Sequence, residues 1–281
     1  MNIIFNYSFY IVAIGIVLLA ISSSLVGSLN VYKGQSLIAD ALGHASFSGI
    51  VLAFMLFRKK NTLFLLLGAA LSISLAYYLI SYSNKKNKND LNSNLAIYLS
   101  GFFGLGLALK SFIQGNSDFS GSSQAGLGNF IFGQAAYMLK EDVYFIGLVF
   151  LICVSIFLLF YKEYKVLLFD KEFAEISNIP VRLLEALQLF MTILVIAVGV
   201  KSVGVVLISS FLIMPNIAAS QWKNRYYQVL ILSSIFSVIA AFAGTYLSTV
   251  VNDLPTGPSV IIILGIFCGL SFVLGRKVKN A

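Results

Sequence analysis

Apolar runs of about 20 residues recur along almost the whole chain and are separated by short polar segments. Since about 20 consecutive apolar residues cross the hydrocarbon core of a bilayer as a helix, each run predicts a membrane span. The predicted spans cover residues 9 to 31, 36 to 57, 62 to 83, 92 to 113, 142 to 161, 183 to 201, 204 to 221, 226 to 251 and 258 to 275. Pro215 interrupts the seventh span and favours a broken or half helix there. The pattern predicts an all-α, polytopic membrane protein with about 8-9 transmembrane helices, and residues 1-281 forming a single transmembrane domain.

The composition supports a membrane protein and excludes a soluble domain. Hydrophobic residues make up 59% of the chain and charged residues only 11%, too few polar side chains to cover a soluble surface. The first apolar run, from about Phe9, has no basic segment or small-residue cleavage site before it, so we expect it to remain as a helix. Cys153 and Cys268 lie far apart inside apolar runs, a pattern typical of small buried hydrophobic residues.

The net charge of +8 indicates membrane orientation and no nucleic-acid partner, because the basic residues lie in short connections between spans. If the C-terminus is cytoplasmic, the alternation of spans places most of the 19 Lys and Arg residues on that side, as the positive-inside rule requires. These are Lys33, Lys85, Lys86, Lys88, Lys162, Lys165, Lys171, Arg182, Lys223, Arg225, Arg276, Lys277 and Lys279. The cluster Arg58 to Lys60 lies on the other side and opposes this orientation locally.

Two connections are longer than a simple link requires. The outer one, residues 114 to 141, is rich in Gly and Ser up to Gly128 and then apolar, which predicts a flexible loop leading into a surface or re-entrant helix. In the cytoplasmic one, residues 161 to 182, Asp170 is placed to cap a short amphipathic helix that ends near Asn178 and Pro180. Such a helix is either an interfacial connector or a docking element for a cytoplasmic partner.

Asp40 and the only histidine, His44, lie four residues apart in the second predicted span. Residues at this spacing share one helix face, and ionisable residues inside a membrane segment indicate a functional site. Carboxylate and imidazole suit zinc, iron or manganese, but zinc takes about four ligands. A symmetric homodimer would supply two copies of each ligand, and small neighbours would let the two helices approach closely. These neighbours are Ala41, Gly43, Ala45, Ser46, Ser48 and Gly49.

The spacing of Asp40 and His44 also fits two other roles. The pair could fix helix packing as an intramembrane ion pair, or act as a proton relay in a secondary metal-proton exchanger. The sequence has no GxxxxGK[ST], HExxH or GxSxG motif, so we expect neither nucleotide hydrolysis by this chain nor enzyme activity. Glu185 is a further acid, near the start of another span.

The stretch from Lys33 to Gly49 resembles the signature of the membrane permease subunits of bacterial ABC importers for manganese, zinc and iron, the ABC-3 family. Further blocks of that family follow in the same order: residues 129 to 133, Phe169-Asp170 through Ala174 to Ile179-Pro180-Val181, 203 to 207, 215 to 219 and 254 to 258. The resemblance covers nearly the whole chain. Ala39, Gly43, Ser48 and Asn178 depart from the usual Gly, Ser, Pro and Gly, changes that bear on helix bending and substrate preference.

This resemblance implies a permease of the bacterial plasma membrane that carries manganese, zinc or iron and holds no permanent cofactor. It implies that Asp40 and His44 belong to the metal pathway, and that a separate ATPase hydrolyses ATP. It further implies an extracellular metal-binding lipoprotein on the outer face and a coupling segment, about residues 169-180, in a cleft of the ATPase. The expected coupling residues are Asp170, Glu172, Phe173, Glu175, Ile179 and Pro180. An importer of larger iron or cobalamin chelates, which needs a wider cavity, is the alternative within ABC transporters.

Overall fold

The computed structural model describes residues 7–58, 61–86, 91–116, 119, 133, 135, 138–251 and 254–275, and this part of the chain contains eleven helices and no strand. The helices are α1 (Tyr7–Tyr32), α2 (Ile38–Phe57), α3 (Thr62–Lys86), α4 (Leu91–Gly115), α5 (Lys140–Leu159), α6 (Tyr161–Phe169), α7 (Lys171–Ile176), α8 (Val181–Val203), α9 (Val205–Ser220), α10 (Tyr226–Val250) and α11 (Thr256–Leu274).

Eight of the described helices are long and apolar enough to cross a membrane, and they coincide with eight of the predicted spans. The predicted all-α, polytopic class is therefore confirmed. The seventh predicted span forms α9, which has 16 residues and is shorter than the spanning helices. The helix continues through Pro215, so the break predicted there is absent, and only the short length fits the alternative of a half helix.

Several predictions concern residues outside the described part of the chain. These are most of the outer loop from 114 to 141, including the Gly/Ser-rich residues and Asn129 to Phe132, and the basic residues Lys59, Lys60, Lys88, Arg276, Lys277 and Lys279.

The chain divides into two compact units. Unit 1 contains α1, α5, α6, α7, α10 and α11, together with α8 up to Val195 and α9 from Ser210. Unit 2 contains α2, α3 and α4, together with the remaining parts of α8 and α9. The interpretation of the whole chain as one transmembrane domain stays a prediction.

In unit 1, α1 packs against α5 and α10, and α10 packs against α11. Polar side chains at the α1–α10 contact bond to each other: Ser24 Oγ donates to Ser233 Oγ at 3.0 Å, and Ser28 Oγ lies 3.0 Å from Tyr226 Oη. Bonds of this kind join helices in a membrane, because lipid offers no partner for a hydroxyl group.

In unit 2, α2 packs against α3 and α4. The backbones of α2 and α3 approach most closely at Gly49 and Gly68, where a Cβ atom added to either glycine would collide with the backbone carbonyl of the other. Ser72 on α3 donates a hydrogen bond of 2.7 Å to the carbonyl oxygen of Ala45, and its Oγ lies 2.9 Å from Ser48 Oγ. This glycine contact holds α2 at a fixed distance from α3.

We predict that Gly68→Ala destabilises the protein by about 1–3 kcal/mol, because the added methyl group overpacks the α2–α3 contact. Gly101→Ala on α4 is the matched control, since a Cβ atom there would have no described atom within 4 Å. Unfolding in detergent, followed by far-ultraviolet circular dichroism, measures both variants. Equal stability of the two variants would contradict the close approach.

Candidate functional site

Asp40 and His44 lie in the first two turns of α2, on one face of the helix as their spacing predicts. The distance from Asp40 Oδ1 to His44 Nε2 is 3.7 Å, and the side chains are 34% and 18% exposed. This separation is too long for a hydrogen bond. Two ligand atoms that each lie about 2.1 Å from a tetrahedral ion are about 3.4 Å apart, so both atoms could bind one cation after a small adjustment.

The His44 ring packs against Phe103 of α4, which in turn contacts Phe47 of α2. The edge of one ring meets the face of the other between His44 and Phe103, with centroids 4.8 Å apart and planes at 75°. Phe47 lies 6.1 Å from Phe103. The Nδ1 atom of His44 is buried and has no hydrogen-bond partner among the described residues. Packing, rather than hydrogen bonding, therefore orients the imidazole.

The pair is not a complete metal site in one chain. Among the described residues, no group of three or more His, Cys, Asp and Glu side chains could hold a metal ion. The small neighbours expected to allow close approach of a second copy are buried in the chain itself, and Ala41, Ala45, Ser46 and Ser48 are each at most 1% exposed. A Cβ atom added to Gly43 would lie 3.1 Å from Val205 Cγ1. Asp40 is the more exposed residue of the pair.

Two glycines of the quoted motif blocks meet in unit 2. Gly133 has φ +81° and lies against the backbone carbonyl of Val203, where a Cβ atom would collide. Gly204, with φ +88°, connects α8 to α9. Both positions require the backbone freedom of glycine, which gives these motif residues a structural reason.

The capped helix predicted between residues 161 and 182 is present as α7. Asp170 Oδ1 accepts a hydrogen bond of 2.8 Å from the backbone N–H of Phe173, as an N-cap residue does. At the other end, Asn178 has φ +58°, and the N–H of Ile179 donates to the carbonyl of Ala174 at 3.0 Å. This pattern is the Schellman motif, so both ends of the short helix are defined by the sequence.

On the surface of α7, large apolar side chains are exposed beside acids. Phe173 is 56% and Ile176 81% exposed, while Ala174 is buried. Glu172 and Glu175 are exposed as well, and so are Asp170 and Pro180, whereas Ile179 is half-buried. Exposed apolar side chains clustered with charges are typical of a surface that meets either another protein or the membrane interface.

The sequence did not predict the ion pairs that Glu185 makes. Glu185 Oε1 lies 3.0 Å from Lys171 Nζ and 3.8 Å from Lys33 Nζ. Burial lowers the pKa of Lys33, and the nearby Glu185 carboxylate partly offsets this effect. These contacts bring Lys33 and Lys171 to the same end of unit 1, as the charge pattern predicts. The sequence signal for these ion pairs was an acid near the start of a span, because such a group needs a partner.

No feature of the sequence predicted that Phe103 contacts His44.

Comparisons with known proteins show clear similarity. The ABC 3 transport family matches residues 6–275. The chain is 36% identical over 263 residues to the manganese transport system membrane protein MntC of Bacillus subtilis (strain 168), covering 94% of this chain and 60% of that protein's length. It is 34% identical over 277 residues to the zinc transport system membrane protein TroC of Treponema pallidum (strain Nichols), covering 99% and 92%. A chain of PsaBC from Streptococcus pneumoniae, solved in complex with Fab, has the same fold, with TM-score 0.83 and 24% identity over 97% of this chain and 94% of that one.

We predict that Asp170→Ala weakens α7 by about 1 kcal/mol, because the N–H of Phe173 loses its acceptor. Asp170→Ser is the matched control, since serine also caps helices well. Hydrogen exchange of the peptide covering residues 170 to 180 should become severalfold faster in the alanine variant only. Equal exchange in all three proteins would contradict the role of the cap.

Proposed function

Since this chain belongs to the ABC 3 transport family, we propose that it is the permease subunit of an ATP-driven importer of divalent metal ions, namely manganese, zinc or iron. It is a multi-pass protein of the bacterial plasma membrane and a transport subunit rather than an enzyme. The observation that carries the proposal is the pair of possible metal-ligand atoms, Asp40 Oδ1 and His44 Nε2, which lie 3.7 Å apart within a membrane-spanning helix.

The transported ion binds transiently between Asp40 and His44. A homodimer supplies a carboxylate and an imidazole from each subunit, which together provide the four ligands that zinc requires. The open surface of Asp40, 34% exposed in the single chain, supports a ligand set completed from outside the chain. Mixed nitrogen and oxygen donors accept manganese, zinc and iron alike, in agreement with relatives named for manganese and for zinc.

The energy for transport comes from ATP hydrolysed by two copies of a separate ATPase. Helix α7 docks on that subunit through Phe173, with Glu172 and Glu175 beside it and Asp170, Ile179 and Pro180 fixing its two ends. Its exposed apolar and acidic surface supports this assignment. ATP binding shifts the population between inward-open and outward-open states according to its differential affinity for them. A metal-binding lipoprotein delivers the ion at the outer face.

We predict that Asp40→Asn and His44→Gln each reduce metal uptake by more than about tenfold, because even groups that only hydrogen-bond a metal ligand contribute 10- to 100-fold. Uptake of radioactive manganese and zinc is measured in proteoliposomes that contain the permease, its ATPase and its binding protein. Glu141→Gln, an exposed acid in the first turn of α5, is the matched control.

Two results would contradict the proposal in different ways. Normal uptake by both variants of the pair would remove Asp40 and His44 from the pathway. Uptake by the unmodified complex that depends on a proton gradient and not on ATP would instead indicate a metal-proton exchanger with the pair as its proton relay.

We predict that Phe173→Ala weakens binding of the ATPase subunit by about 30-fold, because removing an aromatic residue at the centre of an interface costs about 2 kcal/mol. Tyr144→Ala is the control, since this side chain is 77% exposed and lies on α5. The dissociation constant is measured with the purified permease in nanodiscs. Unchanged affinity of the Phe173 variant would exclude α7 as the docking element.

A further inference from the structure

Glu185 of α8 forms ion pairs with lysines from two different parts of the fold. Its Oε1 atom lies 3.0 Å from Nζ of Lys171, the first residue of α7, and 3.8 Å from Nζ of Lys33, which directly follows α1. Glu185 lies 14 positions after Lys171 and 152 positions after Lys33 in the sequence, so tertiary packing brings the three residues together. One carboxylate on α8 thus connects the docking helix to the end of α1.

Further hydrogen bonds reinforce this connection in the first two turns of α8. The fully buried Tyr164 of α6 donates its hydroxyl to the carbonyl oxygen of Leu184 at 3.0 Å. Gln188, three residues after Glu185 and on the same face of α8, donates from Nε2 to Asn30 Oδ1 at 2.7 Å. The start of α8 is therefore bonded to the docking region on one side and to α1 on the other.

The connection continues into the turn that precedes α2. The backbone carbonyl of Asn30, the residue bound by Gln188, accepts a hydrogen bond of 2.9 Å from the N–H of Gln35. Gly34, with φ +70°, forms this turn, and α2 begins a few residues later at Ile38. The turn is therefore continuous in sequence with the helix that carries Asp40 and His44, so a displacement of the turn would move the start of that helix.

The exposure of the three side chains allows the ion pair with Lys171 to break more easily than the ion pair with Lys33. The side chain of Lys33 is 18% exposed, whereas those of Glu185 and Lys171 are 37% and 56% exposed. A largely buried cation needs its counter-ion, while a half-exposed partner can exchange at little cost. Glu185 can therefore remain with Lys33 while its contact to Lys171 changes with the position of α7.

We infer that Glu185 is a positioning residue that couples movement of the docking helix α7 to the α1–α2 turn, and through it to the metal-binding helix. The inference rests on the proposed function, because coupling has meaning only if an ATPase acts on α7. Glu185 lies outside both the Asp40–His44 pair and the proposed docking surface of α7. Lys171 and Lys33 are its two partners.

The test compares metal ions taken up per ATP hydrolysed in reconstituted complexes. Glu185→Gln keeps a hydrogen-bonding side chain but removes the charge, and we expect the ratio to fall about two- to fivefold, the factor that a partly exposed ion pair supplies. ATP hydrolysis continues, so the loss is of coupling. Glu141→Gln should leave the ratio unchanged. A purely structural role would lower the amount of folded complex and leave the ratio intact.

Two further variants keep the inference testable if Glu185→Gln assembles poorly. Lys171→Met changes a side chain that is 56% exposed, so folding is preserved, and the same fall in the ratio is expected. Reversing all three charges, with Lys33→Glu, Lys171→Glu and Glu185→Lys together, restores both attractions and should recover the ratio. An unchanged ratio in Lys171→Met overturns the inference. If the unmodified complex transports metal without ATP, the proposed function fails instead.

Discussion

The constraint on which this structure depends is that polar groups inside a hydrocarbon layer must find partners within the protein. Hydroxyl groups of α1 meet those of α10 in unit 1, and Ser48 and Ser72 meet between α2 and α3 in unit 2. Asp40 and His44 depart from this rule, since they lie close together without forming a hydrogen bond. Oxygen and nitrogen atoms of a membrane helix that are free to bind a metal are what a transported cation requires.

The two compact units carry different parts of the proposed mechanism. Unit 2 contains the donor pair, and its α2 helix is held by the glycine contact with α3 and by Phe103 of α4. Unit 1 contains the docking helix α7 and the ion pairs of Glu185. Within the described helices and the turn after α1, the chain passes between the units at that turn, within α8 and within α9. The turn after α1 contains Lys33, which pairs with Glu185, and leads directly into α2, the proposed metal-binding helix.

Local sequence features predicted most of the fold. The length of each apolar run determines whether a helix can cross the bilayer, so eight spans and the short α9 followed from the sequence. The ends of α7 followed from Asp170 and Asn178, because capping depends on residues within one turn of the helix end. The Asp40–His44 pair also needed only the periodicity of one helix.

The membrane-spanning helices, the capped ends of α7 and the shared face of Asp40 and His44 could all be predicted from the sequence, since each depends on residues close together in the chain. Tertiary structure alone decided that Phe103 orients the imidazole, that Gly49 meets Gly68, and that Glu185 joins Lys33 to Lys171. It also buried the small residues of α2 within the chain. Such contacts join residues of different helices, and their partners are set by how the helices pack, which apolar periodicity does not specify.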